Sequence, residues 1–373
     1  MMMLVICFTL SACVRLDKVS KEKNGLLHTY DNSELLPFDI KPLGDKDKAE
    51  EYAFLLSSYG DAYTEIATGS LDKYKSIYTT PDDCYATDMH VNKNYILWFE
   101  AEELTETNYN YKLYLYDNKT KSKTVILEES LDDNDGWYAI SYFGIYNDKV
   151  YWLRNDFTKK VSEILVYDIA KKEKDVLISL PFIDDSEYGA AISCLKVHDN
   201  LLIYSQLDAN GQKLIAFDID KNKKAYEVSL KSTVGTIYNA DFEEKTGYFA
   251  LYYSALNSDG TEKNEAVGAI STDSDELMEL FSIRENHYLY RERLNIIGDH
   301  IYYDIVANVS GNIEDHYSSA IYNYKTHGRY SQDYTFNTMV IEDTIYFLSF
   351  EKGEGANKTL FYKGKPIGNY TKK

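Results

Sequence analysis

The sequence predicts an all-β fold, a seven-bladed β-propeller of four-stranded antiparallel blades, and three observations predict it. Strand-forming aromatic residues are abundant, with 36 tyrosines against 5 prolines in 373 residues. A tight turn followed by an apolar run returns about every 50 residues. The runs themselves have strand length, are β-branched or aromatic, and show none of the 3.6-residue periodicity of a helical repeat.

The turn landmark is a polar pair holding Asn or Asp. Asn94 precedes YILWF, Asp148 precedes KVYWL, Asp199 precedes NLLIY, Thr246 precedes GYFALYY, Asp299 precedes HIYYDI and Asp343 precedes TIYFL. A second landmark closes the following strand at Asp117, Asp168, Asp218, Ser271, Asn323 and Lys363, and repeats with the same period. The middle strands (VYWL, ILVY, LLIY, IYYDI) are apolar without alternation, as expected for a sheet covered on both faces. A closed ring of stacked units provides that cover. Six units run over 81–130, 137–181, 189–231, 235–283, 290–331 and 334–370. A fainter first unit takes EYAFLLSS at 51–58 as its second strand, EIAT up to Thr68 as its third, and LLPFDI at 35–40 as its first. Six blades with an N-terminal extension is the alternative. The last unit contains four strands of its own, so no strand exchange across the seam is expected.

Residues 1–12, MMMLVICFTLSA, are uncharged and too short to span a bilayer, the shape of a secretory signal. Leu10-Ser11-Ala12-Cys13 matches the lipobox of bacterial lipoproteins, although the basic n-region of such signals is missing. The resemblance implies acylation of Cys13 and a protein on the extracytoplasmic face of the cell membrane, tethered without spanning it. The organisation is then a signal peptide at 1–12, a polar tether at 13–32 and the propeller at 33–373. Over residues 33–370 the period and strand order resemble TolB-like and YWTD-like propellers of bacterial extracytoplasmic lipoproteins. No YWTD tetrapeptide, WD dipeptide or kelch double glycine is present, so this resemblance implies a fold and no activity.

The formal charge of -20 repels phosphate backbones and anionic surfaces, which argues against nucleic acid as a partner and leaves a lipid anchor as the route to the membrane. With the leader removed and Cys13 assigned to lipid, Cys84 and Cys194 remain. They fall two blades apart, beyond the reach of a disulfide, and read as buried thiols.

In a propeller, second-to-third links and blade-to-blade links open on one face, and first-to-second and third-to-fourth links on the other. Sorting the sequence this way separates the charges. The blade-to-blade links carry Asp82 and Asp83, then Asp132, Asp133 and Asp135, then Asp184 and Asp185, and finally Asp333. Three share a form in which an acidic pair is followed by an aromatic: DDCYA with Tyr85, DDNDGWYA with Trp137, DDSEYGA with Tyr188. The other face collects lysines at 119, 121, 123, 171, 172, 174, 221, 223 and 224. Carboxylates at the channel mouth attract cations or basic peptides, and flanking aromatics stack on sugars or cationic groups. The plainer alternative is that acidic pairs start tight turns by bonding their own backbone, and that the lysines are solvated guards of outer edge strands.

Catalytic signatures are missing: there is no G-x-S-x-G elbow, H-E-x-x-H pair or glycine-rich phosphate loop, and the seven histidines are scattered. LDDNDGW looks like part of a calcium loop, but aligning Gly136 with that loop's glycine puts Leu131 and Tyr142 at ligand positions. No cofactor is expected, calcium at this imperfect loop being the one exception left open. The sequence therefore predicts a non-catalytic binding or scaffolding module for a protein or glycan, using the acidic-aromatic face. The alternatives are a carbohydrate-active enzyme, whose chemistry would need a pair of carboxylates, and a structural envelope component.

Overall fold

The computed structural model describes residues 38–42, 53–57, 64–70, 73–81, 84–103, 108–132, 141–183, 189–274, 276–283, 287–289, 294–308, 315–333, 335–341, 344–351 and 358–366. Among them there is no helix; they form strands arranged in seven antiparallel sheets. Strand β1 (Phe38–Pro42) is considered below. Blade 1 holds β2 (Ala53–Ser57), β3 (Thr64–Ser70) and β4 (Lys73–Thr79). Blade 2 is β5 (Cys84–Val91), β6 (Tyr95–Glu103), β7 (Asn108–Asp117) and β8 (Ser122–Asp132). Blade 3 is β9 (Ser141–Tyr146), β10 (Lys149–Asp156), β11 (Val161–Asp168) and β12 (Glu173–Pro181). Blade 4 is β13 (Leu195–His198), β14 (Leu201–Asp208), β15 (Gly211–Asp218) and β16 (Lys223–Ser229). Blade 5 is β17 (Val234–Glu243), β18 (Tyr248–Leu256), β19 (Glu262–Ser271) and β20 (Met278–Ser282). In blade 6 the inner position is shared by β21 (His287–Leu289) and β22 (Asn295–Ile297), both paired with β23 (His300–Asn308), followed by β24 (Asp315–Asn323) and β25 (Arg329–Asp333). Blade 7 has β26 (Thr335–Ile341), β27 (Thr344–Glu351) and β28 (Lys358–Pro366).

The ring closes in a way the sequence reading missed. β1 pairs antiparallel with β28, with Phe38 opposite Pro366 and Pro42 opposite Tyr362, so the N-terminal strand is the outermost of the last blade. The expected first strand of blade 1 therefore belongs to blade 7, and the seam is crossed by strand exchange after all. Blade 1 keeps three strands among the described residues rather than four. EYAFLLSS and EIAT stand at their expected second and third positions, because Leu55 faces Ile66 as Phe99 faces Leu113 in blade 2.

The unbroken apolar runs are explained by packing between blades. In β6, Ile96 and Trp98 join Ile66 of blade 1, while Leu97 and Phe99 join Val150, Trp152 and Leu165 of blade 3. In β10, Tyr151 and Leu153 turn to Leu202, Tyr204 and Ile215 of blade 4. Blades 4 and 5 meet through Leu201, Ile203, Phe249 and Leu251, and blades 5 and 6 through Ala250, Tyr252, Ile301 and Tyr303. Successive side chains of a strand point to opposite faces, and here each face has a neighbour. Each such large side chain contributes up to about 2–3 kcal/mol of burial, so most of the stability lies between blades and not within them.

The landmarks have local causes. In the first-to-second turns Asn147, Asp199, Gly247 and Gly298 have positive φ of 50°, 49°, 69° and 55°, a region open to Gly and tolerated by Asn and Asp. At the second landmark a side-chain oxygen caps the third-to-fourth link. Asp117 accepts from the Lys119 and Thr120 amides at 2.7 and 3.0 Å, Asp168 from Lys171 at 3.0 Å, Asp218 from Lys221 at 2.9 Å, and Asn323 from Lys325 and Thr326 at 3.0 and 2.9 Å. These are the Asx turns that start tight reversals.

Candidate functional site

Two faces organise the disc. First-to-second turns and third-to-fourth links share one, the hairpin face, as bonds between neighbouring blades show: Asn92 Nδ2 donates to Asn147 O at 3.3 Å, Tyr146 OH to Asp220 at 2.9 Å, and Tyr226 OH to Glu244 at 3.2 Å. The other, the link face, carries the second-to-third and blade-to-blade links. There Asn155 Nδ2 donates to Ile192 O at 3.2 Å, and the Ile192 amide donates to Ser162 Oγ at 3.2 Å.

Of the predicted ligand residues, Asp82, Asp83, Asp133, Asp135, Trp137, Asp184, Asp185 and Tyr188 lie outside the described residues. The backbones of Tyr85, Asp132 and Asp333 are placed, all at link-face ends of strands: Tyr85 opposite Ala101, Asp132 opposite Asn108, Asp333 opposite Ser318. They are not brought together. Tyr85 begins an innermost strand, whereas Asp132 and Asp333 end outermost strands, three strand spacings or roughly 14 Å further from the axis. The described members of two acidic-aromatic motifs, Tyr85 and Asp132, thus stand at different radii. Asp132 closes outer strand β8.

The described acids of the second-to-third links are occupied locally. Asp156 pairs with Lys159 at 2.7 Å, and Asp208 with Lys213 at 3.1 Å. Asp259 accepts from the Thr261 amide and hydroxyl at 3.0 and 2.6 Å. Turn chemistry accounts for these three.

A buried cluster of charges lies elsewhere, on three consecutive inner strands near the hairpin face. Asp241 on β17 is fully buried. Its Oδ1 accepts from His198 Nδ1 at 2.7 Å, and its Oδ2 pairs with Lys196 Nζ at 3.2 Å and accepts from the Ile296 amide at 3.0 Å. Lys196 Nζ also donates to Asn295 Oδ1 at 2.6 Å and to the Leu294 carbonyl. β13, β17 and β22, from blades 4, 5 and 6, are tied at one carboxylate. Two residues on, Glu243 accepts from the Gly298 amide at 2.7 Å and repeats the tie between blades 5 and 6.

Burial opposes the charge on Asp241, but His198 and Lys196, with the Ile296 amide, overcome it and hold the carboxyl at about 2. Burial pulls His198 down and Asp241 pulls it up further, so its affinity for a proton is raised. For Lys196 burial prevails over Asp241, and its proton is held less tightly than usual. The cluster suits a pin that fixes the ring: both carboxylate oxygens are engaged, leaving neither exposed for acid-base work. In the sequence His198 is one of seven scattered histidines, and its partner Asp241 lies 43 residues on.

A second buried acid, Glu100, lies between blades 1 and 2. Burial raises its pKa over the opposing influence of Tyr78, Lys123, Lys112 and Tyr114, and its Oε2 has no hydrogen-bond partner among the described residues. The Lys123 ammonium sits 3.2 Å from the Tyr78 ring centre and 4.3 Å from that of Tyr114, a cation-π arrangement. Cys84 and Cys194 are buried thiols two blades apart, as expected, and burial pushes Cys194 up to about 11. Among the described residues no group of three His, Cys, Asp or Glu is placed to hold a metal ion.

No family model and no curated protein matches the chain. Solved structures similar to it include the β-propeller domain of the trilobed protease from Pyrococcus furiosus (12% identity, TM-score 0.43, covering 78% of this chain and 85% of that one). TolB from Acinetobacter baumannii is similar at 12% identity and TM-score 0.40, over 68% of this chain and 60% of that one. An oligogalacturonate lyase in complex with manganese is similar at 10% identity and TM-score 0.46, over 82% and 83%. The assignment to the propeller class stands on the seven sheets and the packing between them.

Proposed function

We propose that the protein is a lipid-anchored, extracytoplasmic, non-catalytic propeller that binds a protein or glycan partner through its link face. The observation that supports this reading is the division of charge across the disc. The described lysine hairpins share the hairpin face, and the links bearing Asp82, Asp83, Asp132, Asp133, Asp184 and Asp185 leave strands at the opposite end. A rigid ring presenting carboxylates and aromatics on one side suits a basic peptide segment or a sugar. Because Tyr85 and Asp132 differ in radial position, such a partner crosses from rim to mouth rather than seating symmetrically on the axis. No described helix is long and apolar enough to cross a membrane, and the lipobox cysteine supplies the attachment in this reading.

The test is to change Asp132, Asp133, Asp184 and Asp185 together to Asn and measure binding of lysine-rich peptides, neutral oligosaccharides and partners crosslinked in intact cells. Binding is expected to fall at least about tenfold for cationic partners. Unchanged binding to every partner refutes the face, and a Cys13→Ser protein that stays on the membrane refutes the anchor.

A further inference from the structure

The direction of β1 says where the N-terminal chain joins the disc. β28 runs from the link face to the hairpin face, and β1 runs back beside it with Phe38 opposite Pro366, so the chain from Cys13 enters at the hairpin face. That face carries the exposed lysine tips of three successive blades. The tips keep an excess of lysine despite the acids beside them, of which Glu173 and Asp220 are exposed. Asp168 and Asp218 are drawn in to cap the links, with side-chain exposures of 22% and 4%, against 68% and 64% for the lysines that pair with them, Lys171 and Lys221. Lys119, Lys121, Lys172, Lys174 and Lys223 lie at the same tips and are exposed. The links of blade 5, with Asp273 and Glu276, interrupt the pattern, so the basic sector covers blades 2 to 4.

From this geometry we infer that the lysine tips of blades 2 to 4 form a membrane-facing surface for anionic phospholipid headgroups, turning the acidic link face away from the bilayer. The inference rests on the lipid-anchored reading. An acylated Cys13 attaches the disc through a chain that joins it at the hairpin face, and exposed lysines within a Debye length of anionic headgroups are attracted to them. The net charge of -20 repels the same surface, so the orientation that puts lysines inward and carboxylates outward is the one both forces favour.

The experiment uses the full-length lipidated chain in phosphatidylglycerol-phosphatidylcholine vesicles carrying a lipid-borne fluorescence quencher. Two exposed positions on blade 3 receive a fluorophore on a new thiol: Ala170→Cys on the hairpin face and Thr158→Cys on the link face. Quenching is expected to be at least about twofold stronger at 170 than at 158. Glu at 119, 121, 172, 174 and 223 should abolish the difference while the protein still floats with the vesicles. Equal quenching, or stronger quenching at 158, on vesicle-bound protein overturns the orientation and leaves the lysines to solvent or to an acidic protein. A wild-type chain that does not float shows before any quenching is read that the anchor itself has failed, and the orientation falls with it.

Discussion

Replacing Asp241 by Asn probes what ties the inner strands together. The change keeps shape but removes the charge that faces His198 at 2.7 Å and Lys196 at 3.2 Å, and it leaves a buried ammonium without its counter-charge. Breaking a buried pair from one side costs about 3–5 kcal/mol. With an unfolding entropy of roughly 2 cal/mol/K per residue, the ring should melt about 5 °C lower. The loss should also depend on pH. His198 has a raised folded pKa, so its pairing stabilises fully below its ordinary value near 6.5 and is lost as pH rises through the folded value. Asp241 behaves oppositely: its contribution is present above about 3.9 and lost as pH falls toward about 2. The cost of Asp241→Asn should therefore be greater at pH 6 than at pH 9, measured by denaturant unfolding monitored by tryptophan fluorescence. Adding Lys196→Met removes the stranded ammonium and should recover a large part of the loss, a coupling of about 1–3 kcal/mol. A loss under about 1 kcal/mol at pH 6, or equal losses at pH 6 and 9, would refute the pin.

Three further outcomes follow from the packing. A Cβ on Gly144 would lie 2.6 Å from Val197 Cγ2, so Gly144→Ala should destabilise by about 1–3 kcal/mol and Val197→Ala should relieve it in the double variant, read by urea midpoints. Cysteines at Asp39 and Lys365, or at Ile40 and Gly364, should crosslink under mild oxidation and resist unfolding by up to about 6 kcal/mol, because the loop closed spans nearly the whole chain; gel mobility with neither pair linked would sink the seam assignment. Glu100 has a raised folded pKa, so wild-type stability falls as pH rises through that value; Glu100→Gln should flatten this slope and cost nothing at pH 7, tested by melting curves from pH 4 to 8.

The parts of the fold legible in sequence are those whose cause is local. Asn147 and Asp199 mark turns because few residues tolerate their positive φ, and Asp117, Asp168 and Asp218 mark links because a carboxylate there caps the reversal. Apolar runs without alternation declare a sheet covered on both sides, and Leu97 against Val150 and Tyr151 against Leu202 show the cover. The seam is different in kind. FDIKP is a short edge strand whose partner lies more than three hundred residues away, and nothing in its composition distinguishes joining blade 1 from completing blade 7.

The site divides along the same line. The acidic links were visible as a motif, yet a motif fixes neither radius nor neighbour, and Tyr85 and Asp132 fall at opposite edges of one sheet. The Asp241 cluster was hidden because its members come from three blades with no shared motif, though a weaker signal existed. Lys196 and His198 on β13, Asn239, Asp241 and Glu243 on β17, and Asn295 on β22 put polar residues into innermost strands just before the tight turn. In the second strands, after that same turn, the residues paired with them are apolar or aromatic: Leu201 and Ile203 on β14, Tyr248, Ala250 and Tyr252 on β18, Tyr302 on β23. Apolar side chains there have a neighbouring blade on either side, whereas the innermost strands approach one another around the axis. Polar groups can be buried at that axis only if they satisfy each other across blades. Polar residues recurring just before the tight turn in three consecutive innermost strands, at Lys196, His198, Asp241 and Asn295, are therefore the sequence signature of the buried ion cluster.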